Sequence, residues 1–208
     1  MADYSGVFIA IEGGDGAGKS TQARLLAGRL REAGHEVVLT YEPGDTRIGP
    51  DVRRLVLDVA SEGLDPRAEA LLYAADRAEH VAALIRPALE RGAVVITDRY
   101  IDSSIAYQGV GRDLGVDEIA ALSAFATGGL LPDLTVVLDV PEDVRRPRIA
   151  GLGDRLEREE SEFHEIVRQA YLDRAAADPG RYLVLDASLP PAQVAELIAE
   201  HVEKVMNR

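Results

Sequence analysis

VFIAIEGGDGAGKST, residues 7–21, is an apolar, β-branched run that breaks into four glycines and ends on a lysine and two hydroxyls. Val7 to Glu12 reads as a buried strand that stops at glycine. Ala23, Leu26, Ala27, Leu30 and Ala33 then recur at helical spacing until Gly34 ends the pattern. Between this strand and this helix, Gly13, Gly18, Lys19 and Ser20 satisfy GxxxxGK[ST] in full. In such a loop the residues Gly13, Gly14, Asp15, Gly16, Ala17 and Gly18 turn backbone N–H groups inward around a phosphate, and the helix N-terminus adds partial positive charge. Lys19 reaches the β and γ oxygens, Ser20 can ligate Mg²⁺, and Thr21 closes the cradle. A glycine-rich turn that merely caps a helix is the plain alternative, and the flanks argue against it. Lysine occurs only at 19 and 204, every other basic residue being arginine. A chain that otherwise avoids lysine has one where a compact point charge suits a phosphate.

The same alternation continues outward. Short apolar runs at 36–41, 93–97, 134–140 and 182–186 are bounded by Gly, Pro or Asp and read as buried parallel strands. Helical segments lie between them: Ile48, Val52, Leu55, Val56 and Val59 at helical spacing, then 66–85, 116–126, 163–177 and 191–205. No repeat or linker interrupts the pattern. The expected architecture is therefore α/β, three layers with a five-stranded parallel sheet flanked by helices, formed by residues 1–208 as a single domain.

Composition narrows the function. The chain has 208 residues and a formal net charge of −13. With no Lys/Arg excess to release phosphate counterions, nucleic acid is not the expected partner; a small anion in a local basic pocket is. Cysteine is absent, which excludes disulfides and thiolate metal sites. The N-terminus lacks a basic leader region and its apolar run is too short to span a bilayer, so no membrane is expected and the cytoplasm is the default location. The only asparagine is Asn207, so the NKxD element that reads guanine in small GTPases is missing. The strand 94–97 ends in Asp98-Arg99 rather than Asp-Glu, and nothing matches the LSGGQ signature of transporter ATPases. Transfer of a γ-phosphoryl group to a small acceptor remains.

The other motifs are EPGDT (42–46), RAEALLYAADRAEH (67–80), DRYIDSSIAYQGVGR (98–112) and DRLEREESEFHE (154–165). With the phosphate loop, and in this order over nearly the whole chain, they resemble thymidylate kinase, in its bacterial branch. The resemblance implies a three-layer P-loop kinase fold, ATP as co-substrate, Mg²⁺ as cofactor, dTMP as acceptor and a homodimer packed through helices. The acceptor of such a kinase is an already ionised phosphate oxygen, so catalysis needs converging cations rather than a strong base. Lys19, Arg53, Arg99, Arg148 and Arg155 are the candidates, although any one arginine taken alone reads equally as a solvated surface residue. Arg53 and Arg99 match positions that hold the acceptor monophosphate, and Asp98 matches the acid near Mg²⁺, acting through water. A helix cap is Asp98's other reading. Asp15 is implied to face the acceptor sugar and its 3′-hydroxyl, with an Asx turn as the alternative.

For the base, the carboxamide of Gln108 offers a donor and an acceptor side by side, complementary to the N3–H and carbonyl edge of thymine, but a flipped amide would also accept cytosine. Arg77 matches a position facing the O4 carbonyl, where a donors-only group rejects the amino group of cytosine. Tyr73 matches an aromatic position that stacks on the base, and reads equally as ordinary core. Tyr107 is placed beside the 2′ carbon, and Ser104 is a minor contact to the base.

The stretch 145–160, with Gly151, Gly153 and several arginines, resembles the lid that closes over ATP. Gly16 follows Asp15, where one branch of the family carries an arginine. The form with its arginine in the lid is therefore implied, with Arg155 as the main catalytic candidate and Arg148 second. Pro147 interrupts the helix expected there, and the segment is about two residues shorter than in enteric relatives. Asp45 replaces the second glycine of EPGGT, which would put a carboxylate near the acceptor. The acidic cluster Glu157, Glu159, Glu160 and Glu162 reads as a solvated helix face, and the four histidines show no ligand spacing.

Overall fold

Along β1 (Val7–Glu12), Ile9 and Ile11 enter one apolar cluster while Phe8 and Ala10 enter another. Side chains alternate across a strand with period two, so a strand that is apolar at nearly every position must be covered on both faces. The remaining architecture follows from that requirement.

The structure, a computed structural model, describes residues 4–149 and 153–207. After β1 come α1 (Lys19–Glu32), β2 (Val37–Tyr41), α2 (Gly49–Leu57), α3 (Pro66–His80), α4 (Arg86–Glu90), β3 (Val94–Asp98) and α5 (Ile101–Ser104). They are followed by α6 (Val116–Thr127), β4 (Leu134–Asp139), α7 (Glu142–Arg145), α8 (Ser161–Ala177), β5 (Tyr182–Asp186) and α9 (Pro191–Met206). The five strands form one parallel sheet in the order β2-β3-β1-β4-β5, with Ile9 paired to Ile96 on one side and to Leu134 on the other. Helices α1 and α9 cover one face through Leu26, Leu30, Val194, Ile198 and Val202. The other face is covered by α3, α4 and α6 through Ala70, Leu89 and Ile119, and by α8 through Val167 and Tyr171. Each fully buried Leu, Ile or Phe of this kind contributes about 1.5–3 kcal/mol.

Five strands, all parallel and flanked by helices, are what the sequence pattern predicts. Two elements differ from expectation. The helix expected to end at Ile85 continues to Glu90 through a π-helical turn at Val81–Ile85, and Pro87, which has no N–H to donate, falls in the first turn of α4. The helix of α5, continued by a π-helical turn over Ile105–Gly111, has no counterpart in the sequence reading. It is buried on every side from Ile101 to Gly109, so it lacks the one-sided apolar stripe by which a helix is recognised. α7 stops at Arg145, and Pro147 sits in a single 3₁₀ turn, Arg146–Arg148. Of the expected lid, Gly151 lies outside the described residues. Among those described, no helix is long and apolar enough to cross a membrane.

Candidate active site

The C-terminal ends of β1 and β3 open into a cavity of about 970 Å³, lined by the phosphate loop from Asp15 to Thr21, by Asp98 and Arg99, and by residues on both sides of them. Ligands of open α/β sheets bind at this edge, where the strand order reverses. On one side stand Arg53, Tyr73, Ser104, Tyr107 and Gln108; on the other, Arg148, Ala187, Leu189 and Pro191.

Gly13 and Gly14 lie behind the loop rather than on the cavity wall. A Cβ on Gly13 would stand 2.5 Å from the Leu138 carbonyl oxygen, and its φ of 134° suits glycine alone. No side chain caps the N-terminus of α1, which leaves its N–H groups to an anion. Lys19 Nζ donates to the Gly14 carbonyl at 2.8 Å, and burial, reinforced by Arg99, lowers its pKa below the ordinary lysine value. Ser20 Oγ donates to Asp98 Oδ2 at 2.5 Å. Among the described residues no group of three or more His, Asp or Glu could hold a metal by itself. The adjacent hydroxyl and carboxylate oxygens of Ser20 and Asp98 nevertheless fit Mg²⁺, which keeps several waters and takes phosphate oxygens as ligands.

Arg99 lines the same cavity. Its backbone, at a left-handed φ of 73°, is held by an N–H donated to the Ile11 carbonyl at 3.0 Å and by the Thr97 hydroxyl, which donates to its carbonyl at 2.9 Å. A strained φ held by several bonds marks a side chain whose direction matters. The guanidinium pairs with Asp15 and donates to Ser103 Oγ at 3.0 Å. Burial pushes the Asp15 carboxyl upward, but Arg99 and Lys19 overcome this and hold it well below the usual carboxylate range. Tyr107 donates its hydroxyl to the second Asp15 oxygen at 2.8 Å. Behind Ser103, the fully buried Glu12 accepts from the Tyr100 N–H at 2.8 Å and the Ser103 hydroxyl at 2.6 Å. Burial and the nearby Asp102 push its pKa up.

On the first side of the cavity, Arg53 donates to the Pro43 carbonyl at 2.8 Å and rests over the Tyr41 ring. Gln108 Nε2 donates to Glu69 Oε1 at 2.8 Å. Arg77 is not on the cavity wall. It is buried one layer back, with Nε donating to Glu42 at 2.8 Å, Nη2 to the Tyr100 carbonyl at 2.9 Å and Nη1 to Ser104 Oγ at 3.0 Å. Asp45 also stays off the wall, accepting the Thr40 hydroxyl at 2.7 Å.

The lid arginines separate. Arg155 points away from the phosphate loop: it is buried against Glu69, donates to the Val56 carbonyl at 2.9 Å, and its N–H donates to the Leu57 carbonyl at 3.1 Å. Arg148 lines the far side of the cavity and donates to the Ala187 carbonyl at 3.0 Å. Arg145 crosses the back of the phosphate loop, and a Cβ on Gly16 would stand 2.9 Å from its carbonyl oxygen. The sequence reading assigned no role to Arg145, Glu12, Glu42 or Glu69. Glu69, Tyr73, Asp76, Arg77 and His80 do, however, form a polar stripe at helical spacing along α3, a signal visible in RAEALLYAADRAEH.

A sequence model of the family described as thymidylate kinase matches residues 11–198. The chain is 53% identical over 205 residues to the thymidylate kinase of Clavibacter michiganensis subsp. michiganensis, covering 97% of each. It is 57% identical over 194 residues to that of Clavibacter sepedonicus, covering 92% of each. Among solved structures it is similar to the thymidylate kinase from Ehrlichia chaffeensis, with a TM-score of 0.76 and 34% identity over 97% of this chain and 98% of that one.

Proposed function

The chain belongs to the thymidylate kinase family, and on that premise we propose that it transfers the γ-phosphoryl group of ATP to dTMP, giving dTDP and ADP on the route to dTTP. The observation that carries this reading is a single cavity that holds the phosphate loop, Arg99 beside it, and the Tyr73, Ser104 and Gln108 wall beyond. A triphosphate and a nucleoside monophosphate fit there end to end.

An ionised oxygen of the acceptor phosphate forms the new bond to γ-phosphorus as the β–γ bridging oxygen leaves on ADP. No proton has to be removed from that oxygen, so the residues supply position and charge. Lys19 leaves the Gly14 carbonyl for the β and γ oxygens. Arg99 exchanges part of its pairing with Asp15 for the acceptor phosphate, with Arg53 on the other side. Asp15, released in part, faces the sugar, and Tyr107 crowds the 2′ carbon. Ser20 and, through water, Asp98 would hold Mg²⁺, which would supply charge neutralisation at the phosphates. The base stacks on Tyr73. Arg77 acts through Ser104: because it donates to Ser104 Oγ, the hydroxyl proton is left to be donated into the cavity, where it suits a carbonyl such as O4 and not an amino group.

The lid at 145–160 contributes Arg148 from the nucleoside side of ATP, while Arg155 anchors the lid onto α2 until substrates close it. We further propose that the whole chain works as one catalytic domain in the cytoplasm, and that it forms a homodimer through the outer faces of α3 and α6. Leu71 and Phe125 stand 57% and 88% exposed on those faces, and packing against a second copy would remove both from water.

A coupled ADP-release assay with ATP and Mg²⁺ tests the reaction, offering dTMP, dUMP, dCMP, dGMP, AMP and no acceptor in parallel. Strong turnover with dTMP, weaker with dUMP and near zero with the rest is expected. Acceptor-independent hydrolysis or preference for a purine or cytosine nucleotide would overturn it.

A further inference from the structure

Gln108 Nε2 donates to a carboxylate that has no exposure to solvent at all. We propose that Glu69 is a specificity-determining positioning residue: from behind the cavity wall it fixes which way the Gln108 carboxamide faces, and so makes the site a reader of a protonated pyrimidine N3. The proposal rests on the reading of Gln108 as the base contact.

A carboxamide is nearly symmetric in shape and opposite in chemistry at its two ends, so a free glutamine rotates to suit either a donor or an acceptor. Glu69 removes that freedom. A carboxylate offers only acceptors, and turning the amide over would set Gln108 Oε1 against Glu69 Oε1 with no proton between two buried oxygens. The nitrogen therefore stays on Glu69, and the carbonyl arm is directed at the ligand. In thymine and uracil N3 carries a proton that this carbonyl accepts; in cytosine N3 presents a lone pair that it repels. The charge of Glu69 is compensated twice: Arg155 pairs with Oε2, and Arg112 Nε lies 3.6 Å from Oε1, so the oxygen that meets Gln108 keeps a cation beside it without Arg155. The lid and the base reader thus share one anchoring group.

The test compares kcat/KM for dTMP and dCMP in three variants. Glu69→Gln can present either a donor or an acceptor to Gln108, so the dCMP-to-dTMP ratio of kcat/KM rises roughly tenfold, mainly through KM for the acceptor. Arg155→Gln breaks the same ion pair from the lid side and leaves the ratio as in the native chain. Gln108→Leu removes the reader and raises the ratio at least as far, the Ser104 contact to O4 keeping a remainder of the discrimination. An unchanged ratio in folded Glu69→Gln, with the ratio raised in Gln108→Leu, overturns the role of Glu69 alone. A rise in Arg155→Gln equal to that in Glu69→Gln assigns the effect to the lid and overturns it too. No change in Gln108→Leu overturns the reading of Gln108 itself, and the inference falls with it. Should Glu69→Gln fail to fold, NMR of the native chain decides. The Gln108 side-chain amide, assigned by its loss in Gln108→Leu, is expected to show one slowly exchanging, downfield proton. Rapid exchange of both protons overturns the proposal.

Discussion

Arg99 and Asp15 form a salt bridge inside the cavity, one residue of the pair after a buried strand and the other within the phosphate loop. The pairing lets the site hold a cation ready for a phosphate while no phosphate is bound, since an unpaired buried guanidinium would be costly. On the proposed reading it also places the cation for the acceptor phosphate in contact with the phosphate loop, so that the two substrates would meet across it.

Replacing Arg99 by methionine keeps much of the side-chain volume and removes the charge. The expected result is a fall in kcat/KM for dTMP of about 10²- to 10³-fold, the usual scale for one group stabilising transferred charge. KM for ATP moves far less. Steady-state kinetics with each substrate varied in turn checks the split; equal loss for both substrates would show that Arg99 maintains the loop and does not meet the acceptor.

Ser20 and Asp98 share a hydrogen bond at 2.5 Å, and on the proposed reading Ser20 directly and Asp98 through water would help hold Mg²⁺. Ser20→Ala deletes one oxygen and leaves the loop backbone intact. The Mg²⁺ concentration giving half-maximal rate is expected to rise about tenfold, with turnover partly recovered at high Mg²⁺. A Mg²⁺ titration that superimposes on that of the native chain would remove Ser20 from the metal site.

Glu42 accepts from Arg77 at 2.8 Å and meets His80 Nδ1 at 2.8 Å, all three groups being buried. Glu42→Gln leaves Arg77 charged and only partly satisfied. A loss of about 3 kcal/mol in unfolding free energy is expected, read from urea denaturation. A loss of a few tenths would show that the Tyr100 carbonyl and Ser104 suffice to hold the arginine.

These relationships show which parts of the site the sequence makes legible. The phosphate loop is legible because its chemistry is local: Gly13, Gly18, Lys19 and Ser20 act within eight consecutive residues between a strand and a helix. The sheet is legible because burial on both faces leaves continuous apolar runs such as VFIAI. Arg77 and Arg155 show the limit. Each belongs to a motif, yet where each guanidinium points is set by an acid distant in sequence, Glu42 for the first and Glu69 for the second. Pairing across that separation leaves no periodic trace. The α5 helix is illegible for another reason: it is surrounded by protein, so its pattern lacks a polar face.

Asp76 supplies the last prediction, through pH. Its Oδ1 is buried without a partner among the described residues, while Oδ2 accepts from the Gly44 N–H at 3.3 Å. Burial, then the Glu42 charge, push its carboxyl up from 3.8 to about 6, against the opposing pull of His80, the Gly44 N–H and Arg77. The folded chain therefore holds a proton that the unfolded chain has released between these two values. Stability falls as pH rises through that window and levels off above about 6. Asp76→Asn keeps the acceptor for Gly44 and cannot ionise, so the variant gains on the native chain across the window, by on the order of 1–3 kcal/mol at pH 7. Urea denaturation of both chains from pH 4 to pH 7.5 measures the difference. A constant difference would mean that the carboxylate is ionised throughout, with His80 and Arg77 outweighing Glu42; a difference that grows with pH and then stops would place its titration in the fold.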